Sequence, residues 1–155
     1  KTASLFSACT RLGAIAATAG EQQQALLGEF GWNLGMAFQL VDDILDFTSR
    51  ESVLGKPVGN DLREGKVTLP LIYALQRATP AERAMVQTVL EDNNYSRVSF
   101  DAIRALVDGH QGIERARARA HEFTAKSREL LSNFAGSPAR TALFAATDLV
   151  ADRDR

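Results

Sequence analysis

The sequence predicts an all-α protein, a helical bundle, on three observations. Apolar residues recur at steps of three and four, most cleanly along Ile113, Ala116, Ala120, Phe123, Ser127, Leu130 and Phe134. Strand-like alternation never persists, and β-branched residues are scattered. Helix start and stop residues, such as Thr79-Pro80 and Gly109, bracket the periodic segments.

Residues 1–18 are Ala-rich, with Phe6, Leu12 and Ile15, and read as a first helix broken at Gly20. Glu21 to about Phe47 reads as one long helix. Thr48 to Asn60 is expected to be a loop, because Gly55, Pro57 and Gly59 fall there. Leu62 to Ala78 combines a turn with a helix entered near Pro70, a residue tolerated in a first turn. Thr79 is an expected N-cap before Pro80, and that helix ends near Glu91, ahead of the polar run Asp92-Asn93-Asn94. Ser99 or Asp101 opens the next helix and Gly109 closes it. The periodic segment from Ile113 follows, with Arg115, Arg117, Arg119, Glu122, Lys126 and Arg128 on its other faces. The ERARARA run invites a phosphate-binding reading, but its flanking acids favour a solvated face. Gly136-Ser137-Pro138 ends this helix, and a last apolar helix carries Leu143, Phe144 and Leu149.

Composition bounds the function. The chain has 155 residues, 45% hydrophobic and 24% charged, which suits one ordered domain over residues 1–155. A formal net charge of -1 and the lack of a basic patch argue against a nucleic-acid surface. No apolar stretch approaches the roughly 20 residues of a transmembrane segment. The single cysteine, Cys9, excludes an internal disulfide and fits a reducing, cytoplasmic setting. It is expected to be buried and inert. The chain starts at Lys1, so it is expected to be processed or to begin inside a longer protein.

The chemistry lies in Gly35-Met36-Ala37-Phe38-Gln39-Leu40-Val41-Asp42-Asp43-Ile44-Leu45-Asp46-Phe47. At about 100° per residue, Gln39, Asp43, Asp46 and Asp42 share an arc of about 100°. The rest of the circumference is apolar, so the helix is expected to be packed on most sides, with one narrow acidic stripe. Carboxylates on such a stripe repel one another and need a counter-ion. A hard divalent cation bound through oxygen answers that need, and Mg²⁺ would fill its octahedron with water and phosphate. The alternative is a solvated edge near the helix C-terminus, although acids there oppose the macrodipole. Gly28, Gly31 and Gly35 fall on the acidic side of the same wheel. They either leave open space above the acids or allow close helix packing. Trp32 also faces that side and could narrow the space.

These residues resemble a known family. Gly35 through Asp46, read as G-x-x-F-Q-x-x-D-D-x-x-D, is similar to the second aspartate-rich motif of trans-type polyprenyl diphosphate synthases. Gly55 through Ile72 resembles the basic loop and helix that follow it, and Lys1-Thr2 resembles the upstream Lys-Thr pair. The three matches stand in the family's order, and DLREGKVTLPLI looks more like long-chain members, such as octaprenyl, heptaprenyl or solanesyl synthases, than short-chain ones. The resemblance covers the whole chain as the C-terminal half of an isoprenoid-synthase bundle.

The resemblance implies a reaction and roles. Mg²⁺ would bind the diphosphate of an allylic substrate such as farnesyl diphosphate, and loss of diphosphate would give an allylic cation. The double bond of isopentenyl diphosphate would then attack, with loss of a proton. Asp42, Asp43 and Asp46 would hold metal, directly or through water, with Asp42 the foremost ligand. Lys1, Lys56 and Lys66 would hold the allylic diphosphate. Gln39, Thr2 and the Lys1 carbonyl would sit near the developing cation. The bland reading of Lys56 and Lys66 is two solvated loop lysines. A half-bundle would expose apolar helix faces, and such patches drive association, so a homodimer or a domain swap is expected. The family's first aspartate-rich motif has no counterpart here, so the chain alone is expected to be inactive. A non-catalytic subunit of a heteromeric synthase is the alternative.

Overall fold

The structure, a computed structural model, describes residues 1–48 and 58–152. Among these residues all regular structure is helical. The helices are α1 (Thr2–Ala16), α2 (Glu21–Thr48), α3 (Asn60–Arg63), α4 (Leu69–Leu75), α5 (Pro80–Asp92), α6 (Phe100–Gly109), α7 (Gly112–Leu131) and α8 (Pro138–Asp152). The all-α expectation therefore holds. Lys56 and most of the expected loop lie outside the described residues.

The expected caps form. Thr79 Oγ1 accepts from the Glu82 N–H, and the Glu82 carboxylate accepts from the Thr79 N–H at 2.7 Å, a complete capping box. Ser99 accepts from the Ala102 N–H at the start of α6. Two boundaries differ from expectation. α1 stops at Ala16, where Thr18 takes a left-handed turn (φ 53°), so the break precedes Gly20. α3 falls where a loop to Asn60 and a turn from Leu62 are expected; four residues are too few to show a helical period.

Packing divides the chain into two compact units. The first is Lys1–Val41 with Ala118–Arg155. Its core gathers Phe30, Leu34, Ala37, Leu130, Leu131 and Val150, with Phe6, Phe38, Leu143 and Phe144 against them. Here α1 lies close on α2. A Cβ on Gly31 would stand 2.5 Å from the Phe6 carbonyl oxygen, and one on Gly35 would stand 2.7 Å from Ala3 Cα. Thr10 donates to the Leu27 carbonyl at 2.6 Å across the same seam. Gly31 and Gly35 thus serve close helix packing, and the open-space reading fails for them. The opposite face of α1 is exposed among the described residues of this unit. Leu5, Leu12 and Ile15 are exposed there, and so is Cys9, contrary to the expected burial. Trp32 is also exposed, lining a shallow groove with Arg11, Leu12 and Ile15.

The second unit is Asp42–Arg117. Its core joins Ile44 and Phe47 of α2 to Leu62, Leu71, Ala74, Val89, Ile103, Val107, Ile113 and Ala116. Arg115 reaches from α7 to the C-terminal end of α4, donating to the Tyr73 carbonyl and to Gln76. Its guanidinium also lies 4.2 Å from the Tyr73 ring centroid. Arg119 pairs with Glu122, and Arg128 with Asp148. These arginines of the ERARARA run and its neighbourhood are engaged locally.

Candidate functional site

The site residues fall on α1, α2 and the segment around α3. In the first unit, Thr2 Oγ1 donates to Gln39 Oε1 at 2.8 Å, so the start of α1 and the sixth turn of α2 meet as a polar pair. Lys1 is the N-cap of α1; its side chain is exposed and its carbonyl accepts from the Leu5 N–H.

In the second unit the acids differ in environment. Asp42 is exposed, Asp43 intermediate and Asp46 half-buried. The buried face of this helix segment holds Ile44 and Phe47, which is why the acids turn the other way. The Asp46 carboxylate accepts from the backbone N–H groups of Asn60 at 3.1 Å and Asp61 at 3.2 Å. It therefore caps α3 from a distance, in place of the N-cap Gly59, which has no side chain to do so. Gly59 in turn donates its N–H to the Asp46 carbonyl at 2.9 Å. Burial pushes the Asp46 carboxyl above the usual carboxylate range, and the negative charge of Asp61 adds to this. The two backbone donors pull the other way, and Asp42 adds a smaller upward push.

Lys66 donates to Glu64 at 2.6 Å and to Asp61 at 3.1 Å. These two carboxylates hold the ammonium above its ordinary range. Lys66 is thus on the acidic segment that follows α3, within reach of Asp61 and paired as the chain stands. Sequence reasoning gave no site role to Asn60 or Asp61 and read Gly59 only as a loop breaker, although all three lie in the motif stretch. Their backbone roles depend on where the turn folds back on α2, which no spacing reveals.

The donor set fits a hard divalent cation. Its candidate donors are carboxylate oxygens, Asp42 is open to solvent, and burial and the negative charge of Asp61 both disfavour an uncompensated charge on Asp46. Among the described residues, no three His, Cys, Asp or Glu side chains form a ready-made metal cage.

The polyprenyl synthetase family model matches residues 1–107. The chain belongs to the polyprenyl synthetase family. It is 36% identical over 155 residues to the octaprenyl diphosphate synthase of Escherichia coli, covering all of this chain and 48% of that protein. It is 36% identical over 153 residues to the heptaprenyl diphosphate synthase component 2 of Bacillus subtilis, covering 99% of this chain and 43% of the relative. A crystal structure of a polyprenyl synthase from Caulobacter crescentus, complexed with calcium and isoprenyl diphosphate, superposes with a TM-score of 0.90 at 34% identity. That match covers 100% of this chain and 47% of the other. The chain therefore spans about half the length of the curated relatives it matches. Among the described residues, no helix is long and apolar enough to cross a membrane.

Proposed function

We propose that this polyprenyl synthetase chain supplies the metal and diphosphate side of a cytoplasmic trans-type prenyl diphosphate synthase that makes long-chain products. The substrates are an allylic diphosphate, such as farnesyl diphosphate, and isopentenyl diphosphate. The observation that carries the reading is the acid stripe of α2, where exposed Asp42 stands in the same helix as half-buried, charge-strained Asp46. Mg²⁺, when bound, neutralises the diphosphate so that it can leave. Asp42 and Asp46, with Asp43, anchor the diphosphate end through that charge. Lys66, paired with Glu64 and Asp61 as the chain stands, would exchange these carboxylates for diphosphate oxygens, and Lys1 and Lys56 contribute further positive charge. The Thr2–Gln39 pair presents oxygen dipoles to the carbon that becomes positive.

The chain is half the length of its relatives, and we propose that turnover needs the remaining half, in the same polypeptide or in a partner. That the B. subtilis relative is a component 2 supports a second reading, a subunit of a heteromeric synthase. The test is product formation from farnesyl diphosphate and labelled isopentenyl diphosphate with Mg²⁺. It compares this chain alone, this chain joined to the remaining half, and the joined protein carrying Asp42→Ala. Turnover only by the joined protein, abolished by Asp42→Ala, is expected. Turnover by the chain alone would overturn the need for the other half. No turnover by any of them would favour the non-catalytic subunit.

A further inference from the structure

Tyr95 lies in the turn between α5 and α6, far in sequence from the acids of α2, yet it closes a circuit around Asp46. Its hydroxyl donates to the Gly59 carbonyl at 2.6 Å. Gly59 donates to the Asp46 carbonyl, and the next two N–H groups, of Asn60 and Asp61, both reach the Asp46 carboxylate. The Tyr95 ring stands edge-on to Phe100, with centroids 5.5 Å apart, and Phe100 stacks on Phe47 at 6.2 Å. Phe47 is the residue after Asp46 and is buried. The same aromatic group therefore grips α2 at Asp46 and the turn that meets it. Gly59 is held in the left-handed region (φ 69°), and a Cβ there would stand 2.3 Å from Phe100 and 2.7 Å from the Tyr95 hydroxyl. Burial first, then the negative charge of Asp46, push the Tyr95 hydroxyl up to about 12, so it remains a donor at any ordinary pH.

We propose that Tyr95 is a positioning residue for the α2 metal site: its hydroxyl fixes the Gly59 turn and, through it, the two backbone N–H groups that aim the Asp46 carboxylate. This rests on the reading of the α2 acids as metal ligands. Two donors leave the carboxylate with a defined orientation and free lone pairs. Without the hydroxyl the Gly59 carbonyl loses its partner and the turn is free to drift, carrying both donors with it. Groups of this kind, which orient a ligand without touching the metal, commonly change metal affinity by about 10–100-fold.

Tyr95→Phe removes the hydroxyl and keeps the ring contacts with Phe100. The first readout is amide hydrogen exchange. Asn60 and Asp61 are expected to lose protection by about 10-fold or more, while Val89 of α5 and Val107 of α6 exchange as in the parent protein. The second readout is Mn²⁺ binding in the presence of inorganic pyrophosphate, followed by electron paramagnetic resonance, in this chain joined to the remaining half. The half-saturating Mn²⁺ concentration is expected to rise about 10-fold. Asp42→Ala is the control and is expected to abolish binding. If Tyr95→Phe leaves the Mn²⁺ titration unchanged while Asp42→Ala abolishes it, the proposal is overturned and the metal reading stands. Loosened exchange with unchanged Mn²⁺ binding overturns it too, because Tyr95 would then serve the fold alone. If the parent protein binds no Mn²⁺, or Asp42→Ala binds it normally, the metal reading falls and the role of Tyr95 falls with it.

Discussion

Asp46→Ala removes two acceptors from the backbone of α3, whereas Asp42→Ala removes a side chain that faces solvent. Urea unfolding should therefore separate them. The first is expected to cost about 1–2 kcal/mol, the range of a lost helix cap with its buried donors. The second should change stability by less than about 0.5 kcal/mol while still abolishing turnover in the joined protein. Equal stability losses for the two would contradict the environments assigned here. Glu82 gives a pH test at the same scale. The Thr79 N–H, the Thr79 hydroxyl and then His110 hold its carboxyl below the usual carboxylate range. His110 Nε2 lies 3.1 Å from both oxygens. Its folded-state value is thus lower than its unfolded one. The stability it contributes is present above the unfolded value and is lost as pH falls through the folded value. Thermal melts from about pH 6 to about pH 3 should show a drop in midpoint that Glu82→Gln makes shallower.

At the scale of elements, the seam between α1 and α2 makes a graded prediction. Gly31→Ala meets backbone at 2.5 Å, and Gly35→Ala meets Ala3 Cα at 2.7 Å. Each should destabilise by about 1–3 kcal/mol, because the obstacle is main chain and not the tip of a flexible side chain. Gly28→Ala meets only ordinary contacts at 3.7 Å and should be neutral or gain up to about 1 kcal/mol from helix propensity. Calorimetry of the three variants would show the ranking. The wheel placed these glycines correctly on one side, yet it could not say what covers that side, because α1 supplies the answer from another part of the chain. Long helices and side-chain caps were legible for a comparable reason: Thr79, Glu82 and Ser99 act within one turn of themselves. α3 was not legible, because its cap is a carboxylate from α2. The acid stripe was legible as a stripe. The division between exposed Asp42 and half-buried Asp46 was not, since it depends on the turn at Gly59 folding back.

For the whole molecule, the exposed Leu5, Leu12 and Ile15 on α1 form an apolar face that water covers poorly. Sedimentation of the chain alone should show concentration-dependent association, reduced by Leu12→Glu. Unchanged monomeric behaviour at high concentration would mean that the face tolerates solvent. Joined to the remaining half, the protein should lose this tendency if that half covers α1. Trp32, the single tryptophan, sits 45% exposed beside Leu12 and Ile15. Its indole emission shifts with the polarity around it, so covering the groove should move the spectrum to the blue and shield it from iodide quenching. The chain thus carries a native optical reporter on the face where association is expected, readable without any label.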